Sequence, residues 1–331
     1  MAIGSERVML VAVMRNEGPY ILEWLSHHFA LGVDELLIFT NHCTDLTDQI
    51  LDRLEYLLPH RVKHQPNPKI MFPNRGQWHI MALRYAGHFG RYRAADWIYA
   101  TDADELLILK NGCSTLDDLY EATGGFDAIS FTSVAFNSNG QSMPAPAPVR
   151  ERFTQTSLKD PDGGDAISGV KTLFRNSVSG ARRPHRPVTP AFSTTGQRWV
   201  NGSGTPLPPT FTDGHVKHQP TAGTRAFAQY NHYMIKSAGE FLLKVDRGDA
   251  VNQERLGASA QYWAHANRPG CSETIAVEMS PAARDLYEAW LADPVLGRLH
   301  AESFDIRRKR LEEILATEAG AELAEQIGFV A

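Results

Sequence analysis

Within its first 66 residues the chain alternates between short apolar runs and stretches of helical spacing, and this alternation constrains the fold more than any other feature. Val8–Met14 is a continuous apolar run rich in Val, the pattern of a strand buried on both faces, as in a parallel sheet. Arg15-Asn16-Glu17-Gly18-Pro19 breaks it, and Pro19 suits the first turn of a helix. Ile21, Leu22, Leu25, Phe29 and Leu31 then recur at helical spacing, predicting an amphipathic helix over 19–31 that ends near Gly32. Glu35–Thr40 reads as a second strand and Asn41-His42-Cys43-Thr44-Asp45 as a polar turn. A second helix carries Ile50, Leu51, Leu54, Leu57 and Leu58 on its apolar side and stops at Pro59, and 61–65 reads as a third strand. Strand, helix, strand, helix, strand with short links is the rhythm of βαβ units in a mostly parallel sheet.

Further along, 77–89 reads as helix. The strand at 97–101 runs directly into Asp102-Ala103-Asp104-Glu105. A short capped helix is expected over 114–121 and a strand over 128–134. Beyond residue 140 the texture changes. Pro144, Pro146 and Pro148, Gly163-Gly164, Arg182-Arg183-Pro184-His185-Arg186-Pro187, and Gly202 to Pro209 mark long loops, which by length are lid candidates. Strand-like pieces survive at 170–175 and 215–218, and from about Ser280 the chain turns helical.

Composition narrows the class. A chain of 331 residues with 43% apolar residues and a formal charge of −5 is neither disordered nor short of core. Its mild acidity gives no reason to expect a nucleic-acid partner. The early apolar run is far shorter than the ~20 residues of a membrane span, and with Arg7 alone before it and no small-residue cleavage site it is a poor signal peptide. Three cysteines (Cys43, Cys113, Cys271) without a C-x-x-C pair argue against a disulfide framework and for a reducing, cytoplasmic setting.

Asp102 and Asp104 are the first chemical candidates. On an extended strand end, residues two apart face the same side. Paired carboxylates at the carboxyl edge of a parallel sheet, where open α/β sheets bind ligands, call for a counter-ion. A hard divalent ion, Mg²⁺ or Mn²⁺, with substrate phosphates in its shell would serve; the plainer alternative is that Asp102 and Glu105 cap a turn. Arg15-Asn16-Glu17 and Asn41 to Asp45 end the first two strands on the same edge, either as parts of one site or as unrelated solvated turns. A third cluster, Asn231 to Lys236 followed by a helix with Glu240, Lys244 and Arg247, offers phosphate partners and a metal-competent His232. Ser237-x-x-Glu240 also reads as a capping box, which the physics alone favours. His215 and His218 would face opposite sides of a strand and read as surface residues. Arg307-Arg308-Lys309-Arg310 could dock on anionic lipid, but Glu312 and Glu313 make a solvated helix face the default.

These segments together resemble glycosyltransferase family 2 and the related family 92. Met14 to Trp24 is similar to their opening K/R-N-E-x-x-Y-I-x-E-W, Thr40 to Asp48 to the next turn, and Trp97 to Leu106 to the W-x-x-x-x-D-x-D-E signature. Phe136 to Gly140, Val170 to Arg175 with His185 to Pro187, and Asn231 to Gly248 resemble later blocks in the expected order. His42 stands where relatives often carry Asp, and Leu46 where they often carry Gly.

The resemblance implies an α/β GT-A (Rossmann-like) fold, its mostly parallel central sheet flanked by helices. It would occupy residues 1–250, with a donor half at 1–110 and an acceptor half at 111–250, and a mainly helical C-terminal extension at 251–331. It implies a nucleotide-sugar donor, UDP-linked, a glycan or lipid-linked acceptor, and Mn²⁺ or Mg²⁺ held by Asp102, Asp104 and His232. Donor contacts are expected from Arg15, Asn16, Glu17, Asn41, Asp45, Asp102, Lys171, Arg175, His232 and Lys236. The catalytic pair would be Asp104 and Glu240, the latter as general base for an inverting displacement, with Asp165 and Asp213 as rivals. The enzyme would work in the cytoplasm, with a peripheral contact at the inner face of the membrane. A nucleotidyl or phosphoryl transferase using the same carboxylates, and a binding module without turnover, remain alternatives.

Overall fold

The computed structural model describes residues 3, 6–74, 76–158, 166–248, 259–272 and 277–330. The chain opens as the apolar rhythm predicts, with strand β1 (Val8–Met14), helix α1 (Ile21–Ala30), β2 (Glu35–Thr40), α2 (Thr47–Leu57) and β3 (Val62–Pro66). Helices α3 (Trp78–Ala86) and α4 (Gly90–Ala94) lead into β4 (Trp97–Ala100), β5 (Glu105–Leu109), α5 (Leu116–Ala122) and β6 (Ala128–Ala135). The next segment holds α6 (Val149–Arg152), β7 (Ile167–Arg175), β8 (Trp199–Asn201), α7 (Pro209–Thr212), β9 (His218–Pro220) and β10 (Ala228–His232). Helices α8 (Ala238–Arg247), α9 (Ser259–Ala266), α10 (Pro281–Ala292), α11 (Pro294–Leu315) and α12 (Glu318–Gln326) complete it.

Among the described residues the strands form one sheet of order β3-β2-β1-β4-β7-β6-β10-β5, with β8 beside β6 and β9 beside β7. The first four are parallel, the Rossmann-like half. There β7 turns against the grain: it pairs antiparallel with β4 and β6. β10 runs parallel to β6 and antiparallel to β5.

Both faces of the parallel half are buried, as the unbroken apolar run of β1 requires. Leu10, Ile38 and Tyr99 join a large cluster with Ile21, Trp24 and Phe131, whereas their neighbours Val11, Phe39 and Ile98 join a second with Phe174 and Trp199. The first cluster also takes in Tyr287, Trp290, Leu296 and Leu299 from α10 and α11, so the C-terminal helices share the core of the sheet. Trp290 meets Phe29 of α1 edge-on, ring centroids 6.0 Å apart. A third cluster, including Phe241, Trp263, Leu311 and Ile327, joins α8 and α9 to α11 and the segment after α12.

The Arg-rich loop expected as a lid is tied down. Arg186 is buried, donates to the carbonyls of Phe211, Thr212 and Val216, and lies between the rings of Trp199 and Phe211. His215 and His218 are exposed, as expected. Among the described residues no helix is long and apolar enough to cross a membrane.

Candidate active site

The carboxyl edge of β4 is a turn, and the turn decides where its acids go. The Glu105 amide donates to the Asp102 carbonyl at 3.1 Å. The Glu105 carboxylate folds back to accept from the Thr101 hydroxyl and the Asp102 amide at 2.8 and 2.9 Å. From below, the Trp24 indole donates to the carbonyls of both Asp102 and Glu105 at 3.0 Å. The extended geometry expected of the D-x-D is therefore corrected: Ala103 and Asp104 lie in the turn, and the two aspartates line different pockets. Asp102 lies with His79, Leu83 and Lys171, and Asp104 with Tyr20, Trp24, Tyr233 and Lys236.

Each aspartate has its own lysine and histidine. Lys171 Nζ meets Asp102 Oδ2 at 2.7 Å and Glu105 Oε2 at 3.0 Å, and His79 Nε2 donates to Asp102 Oδ1 at 3.0 Å. Lys244 Nζ meets Asp104 Oδ2 at 3.2 Å, and His232 Nε2 lies 3.7 Å from Oδ1. Burial alone would raise both carboxyl pKa values, but Lys171 and His79 outweigh it at Asp102, and Lys244 and His232 at Asp104, so both sit well below the usual carboxylate range. At Glu105 burial wins over Lys171 and the pKa is raised. His232 goes the other way: burial opposes its charge, Asp104 outweighs burial, and its pKa is raised.

Register explains how distant residues arrive. Tyr99 pairs with Leu173 in the antiparallel β4–β7 ladder, so Lys171 falls beside the turn that follows β4. β10 sets His232 against Glu105, and the Tyr233 amide donates to the Asp104 carbonyl at 2.9 Å. The same register removes Arg175 from the site. It pairs with Trp97 at the opposite edge of the sheet, bridges Glu6 and Asp127, and stacks on the Trp97 ring. Its expected donor contact is corrected accordingly.

Glu240 is likewise not placed as a base. It is 3% exposed and closes the capping box at the start of α8 with Ser237. Its two oxygens accept from both Arg152 nitrogens at 3.0 and 3.1 Å, the Tyr20 hydroxyl at 2.7 Å and the Ser237 amide at 2.9 Å. Burial opposes its ionisation, yet Arg152 and these donors hold its pKa below the ordinary value. Of its rivals, Asp213 is occupied by Ser193, and Asp165 lies outside the described residues.

The loops after β1 and β2 lean on one another. Asn16, at φ 55°, accepts from the Thr44 amide at 2.7 Å. Asp45 braces the two loops: its Oδ1 accepts from the Thr47 amide and hydroxyl and its Oδ2 from the Gly18 amide. Glu17 accepts from Arg247. Asn41 is buried with its Oδ1 unpartnered, and Arg15 has an unpartnered Nε, so both keep polar capacity for a ligand. His42 and Leu46 adopt φ 50° and 68°, so Leu46 occupies a backbone position that suits the glycine often found there in relatives.

Sequence reasoning missed His79, Lys244 as the partner of Asp104, Arg152 and Arg307. One signal was available for His79. A helix that follows a parallel strand starts at that strand's carboxyl edge, so its first turn faces the site.

Residues 11–162 match the glycosyltransferase family 92 model. That stretch of the chain is similar to family 92 glycosyltransferases. No curated protein matches the chain. Among solved structures it is similar to the mannosyltransferase PcManGT from Pyrobaculum calidifontis in complex with GDP-Man and Mn²⁺, at 14% identity over 98% of this chain and 84% of that one, TM-score 0.36. It is also similar to S. aureus TarS 1–349 in complex with UDP (13% identity, 93% and 90% covered, TM-score 0.32) and to GalNAc-T7 with UDP, GalNAc and Mn²⁺ (10% identity, 98% and 58% covered, TM-score 0.35). The family match spans the turn with Asp102 and Asp104 and ends before Lys171, His232 and Lys244 join them.

Proposed function

We propose that this protein is a glycosyltransferase that moves a sugar, with inversion, from a UDP-linked donor to a hydroxyl of a glycan or lipid-linked acceptor, and that a divalent ion assists. The observation that carries the reading is the edge of β4, where two ionised carboxylates meet Lys171, Lys244, His79 and His232. A group transfer that expels a diphosphate needs cations there.

The residues fit a divalent ion at Asp104. Among the described residues no group of three or more His, Cys, Asp or Glu side chains converges, so the expected set of Asp102, Asp104 and His232 is not one cage. Magnesium-type ions are commonly held by one or two carboxylates with substrate phosphates completing the shell. Asp104 is ionised, and its Oδ1 stands beyond hydrogen-bond distance of His232. Asp104 and His232 would hold the ion, whereas Asp102 is engaged by Lys171 and His79. Bound there, the ion would supply Lewis-acid neutralisation of the leaving diphosphate. Lys244 and Lys236 add positive charge beside the same carboxylate, Trp24 and Glu105 fix the turn, and Asn16, Asn41 and Arg15 face the donor from the neighbouring loops. Three free cysteines agree with a reducing, cytoplasmic setting.

A panel of nucleotide sugars with Mn²⁺ tests this. Release of a nucleoside diphosphate is expected, with Asp104→Asn lowering it about 100-fold or more and the product showing an inverted anomeric signal by NMR. Pyrophosphate release would support a nucleotidyl transferase instead, and unchanged release in Asp104→Asn would remove the metal assignment.

A further inference from the structure

The link between β3 and α3 carries an apolar tip into solvent. Ile70, Met71 and Phe72 are 42, 78 and 49% exposed. Single exposed apolar side chains are ordinary, but this is the longest run of large ones among the described residues. β3 ends the sheet, so the link leaves from its edge.

The tip stands on a buried anchor. The Asn67 amide donates to the Thr40 carbonyl at 2.8 Å, and its side chain donates to the Trp78 carbonyl at 3.2 Å and accepts from the Lys69 amide at 3.0 Å. Beyond it the amides of Ile70, Met71 and Phe72 donate to the carbonyls of Asn67, Pro68 and Lys69 at 3.0, 3.1 and 3.1 Å. Pro68 and Pro73 have no amide to satisfy. Residues 68–73 therefore present three apolar side chains without one free backbone donor. Such a tip leaves water without carrying an unpaired amide into an apolar phase, where each would cost several kcal/mol.

Charge indicates what the tip enters. From Tyr56 to Ala95 the chain has seven Lys and Arg and no Asp or Glu, although the whole protein carries a formal charge of −5. Lys63 and Arg91 pair with Glu55 and Glu35. Lys69, at the tip, is held by the Pro73 carbonyl at 2.6 Å and lies over the Trp78 ring, 5.5 Å from the centroid; neither is an anion. The basic run of α11 differs, because Arg308 and Arg310 are matched by acids on their own surface.

We infer that this tip docks the protein on an anionic lipid bilayer. Ile70, Met71 and Phe72 enter the interface, and Lys69 meets the headgroups with no carboxylate between residues 56 and 95 of the chain to repel them. The tip leads into α3, whose His79 donates to Asp102, so a lipid-linked acceptor would meet the site at the bilayer surface. That consequence rests on the glycosyl-transfer reading, whereas bilayer binding itself does not.

Flotation of the full chain with lipid vesicles tests the docking. Vesicles of phosphatidylcholine and phosphatidylglycerol in equal parts should carry the protein upward, and vesicles of phosphatidylcholine alone should carry much less. The double variant Met71→Ser with Phe72→Ser should weaken binding about tenfold or more. Tyr56→Ser removes a ring about as exposed as Met71 from the end of α2, near the start of β3 rather than its end, and should leave binding unchanged. Substitutions at such exposed positions should leave the thermal midpoint near that of the wild type. Binding that is absent, that is as strong on phosphatidylcholine alone, or that the double variant retains, overturns the proposal, as does equal weakening by Tyr56→Ser. Self-association that the double variant abolishes, without vesicle binding, would overturn it in favour of a second copy of the chain. Vesicle binding by a chain that transfers no sugar would keep the docking surface and reject the glycosyl-transfer reading.

Discussion

Lys171 shows how one buried charge organises a site. It is 1% exposed and bridges Asp102 and Glu105, so its charge stands against two carboxylates. Removing one partner of a buried ion pair costs about 3–5 kcal/mol. Lys171→Met should therefore lower the urea midpoint by a corresponding amount, and adding Asp102→Asn should recover part of it. A midpoint that does not move would show that the three groups are not coupled. The buried histidines make a second residue-scale prediction. Burial pushes His28, His185 and His300 down to about 4 from the ordinary 6.5. The unfolded chain takes up those protons first as pH falls, so stability present above pH 6.5 is lost progressively towards pH 4. Thermal midpoints should drop between pH 7 and 5. His300→Phe, replacing a ring packed edge-on between Tyr287 and Phe304, should drop less. Equal drops would place the acid sensitivity elsewhere.

At the scale of elements, α8 is the joint between the site and the C-terminal helices. Glu240→Gln leaves the capping box with a neutral partner and Arg152 without a carboxylate. It should lower stability by about 3 kcal/mol in urea unfolding, while kcat per folded molecule stays within a few-fold; a collapse of kcat at full folding would restore Glu240 as the base. Gly239 permits the approach of α8 to α11, since a Cβ there would stand 2.8 Å from Leu311 Cδ2 and 3.1 Å from Pro144 Cδ. Gly239→Val should cost about 1–3 kcal/mol by overpacking, read as a lower thermal midpoint. The elements most legible in the sequence were those with strong periodicity. β1 and β2 appear with their ends correct because their apolar runs are unbroken. β10 was not read as a strand because only Ala228 and Tyr230 mark its apolar side, too short an alternation to stand out, while its Gln229 and Asn231 are polar yet buried and bonded to one another. The site was legible where it lies in one stretch, as at Asp102 and Asp104. It was opaque where antiparallel pairing sets the neighbour, because nothing local in β7 says that Lys171 arrives beside Asp102 while Arg175 goes to the other edge.

Over the whole molecule, the near-neutral charge conceals sorted electrostatics. Carboxylates gather at the turn after β4, with lysines around them, and Arg310 and Arg308 of α11 are paired outside, Arg310 with Asp246 and Glu313, and Arg308 with Asp305. The C-terminal helices are part of that arrangement. The family match ends at residue 162, but Gly18, in the loop after β1, is so close to α11 that a Cβ would stand 3.0 Å from Ser303 Cβ, and Arg307 holds the Asn16 carbonyl of the same loop. The catalytic unit is thus a closed circuit in which the first loop is clamped by nearly the last helix. A hybrid enzyme made by exchanging second halves between such transferases would separate the clamp from the loop that it fits, so productive crossovers should be those that inherit the loop after β1 and α11 from one parent.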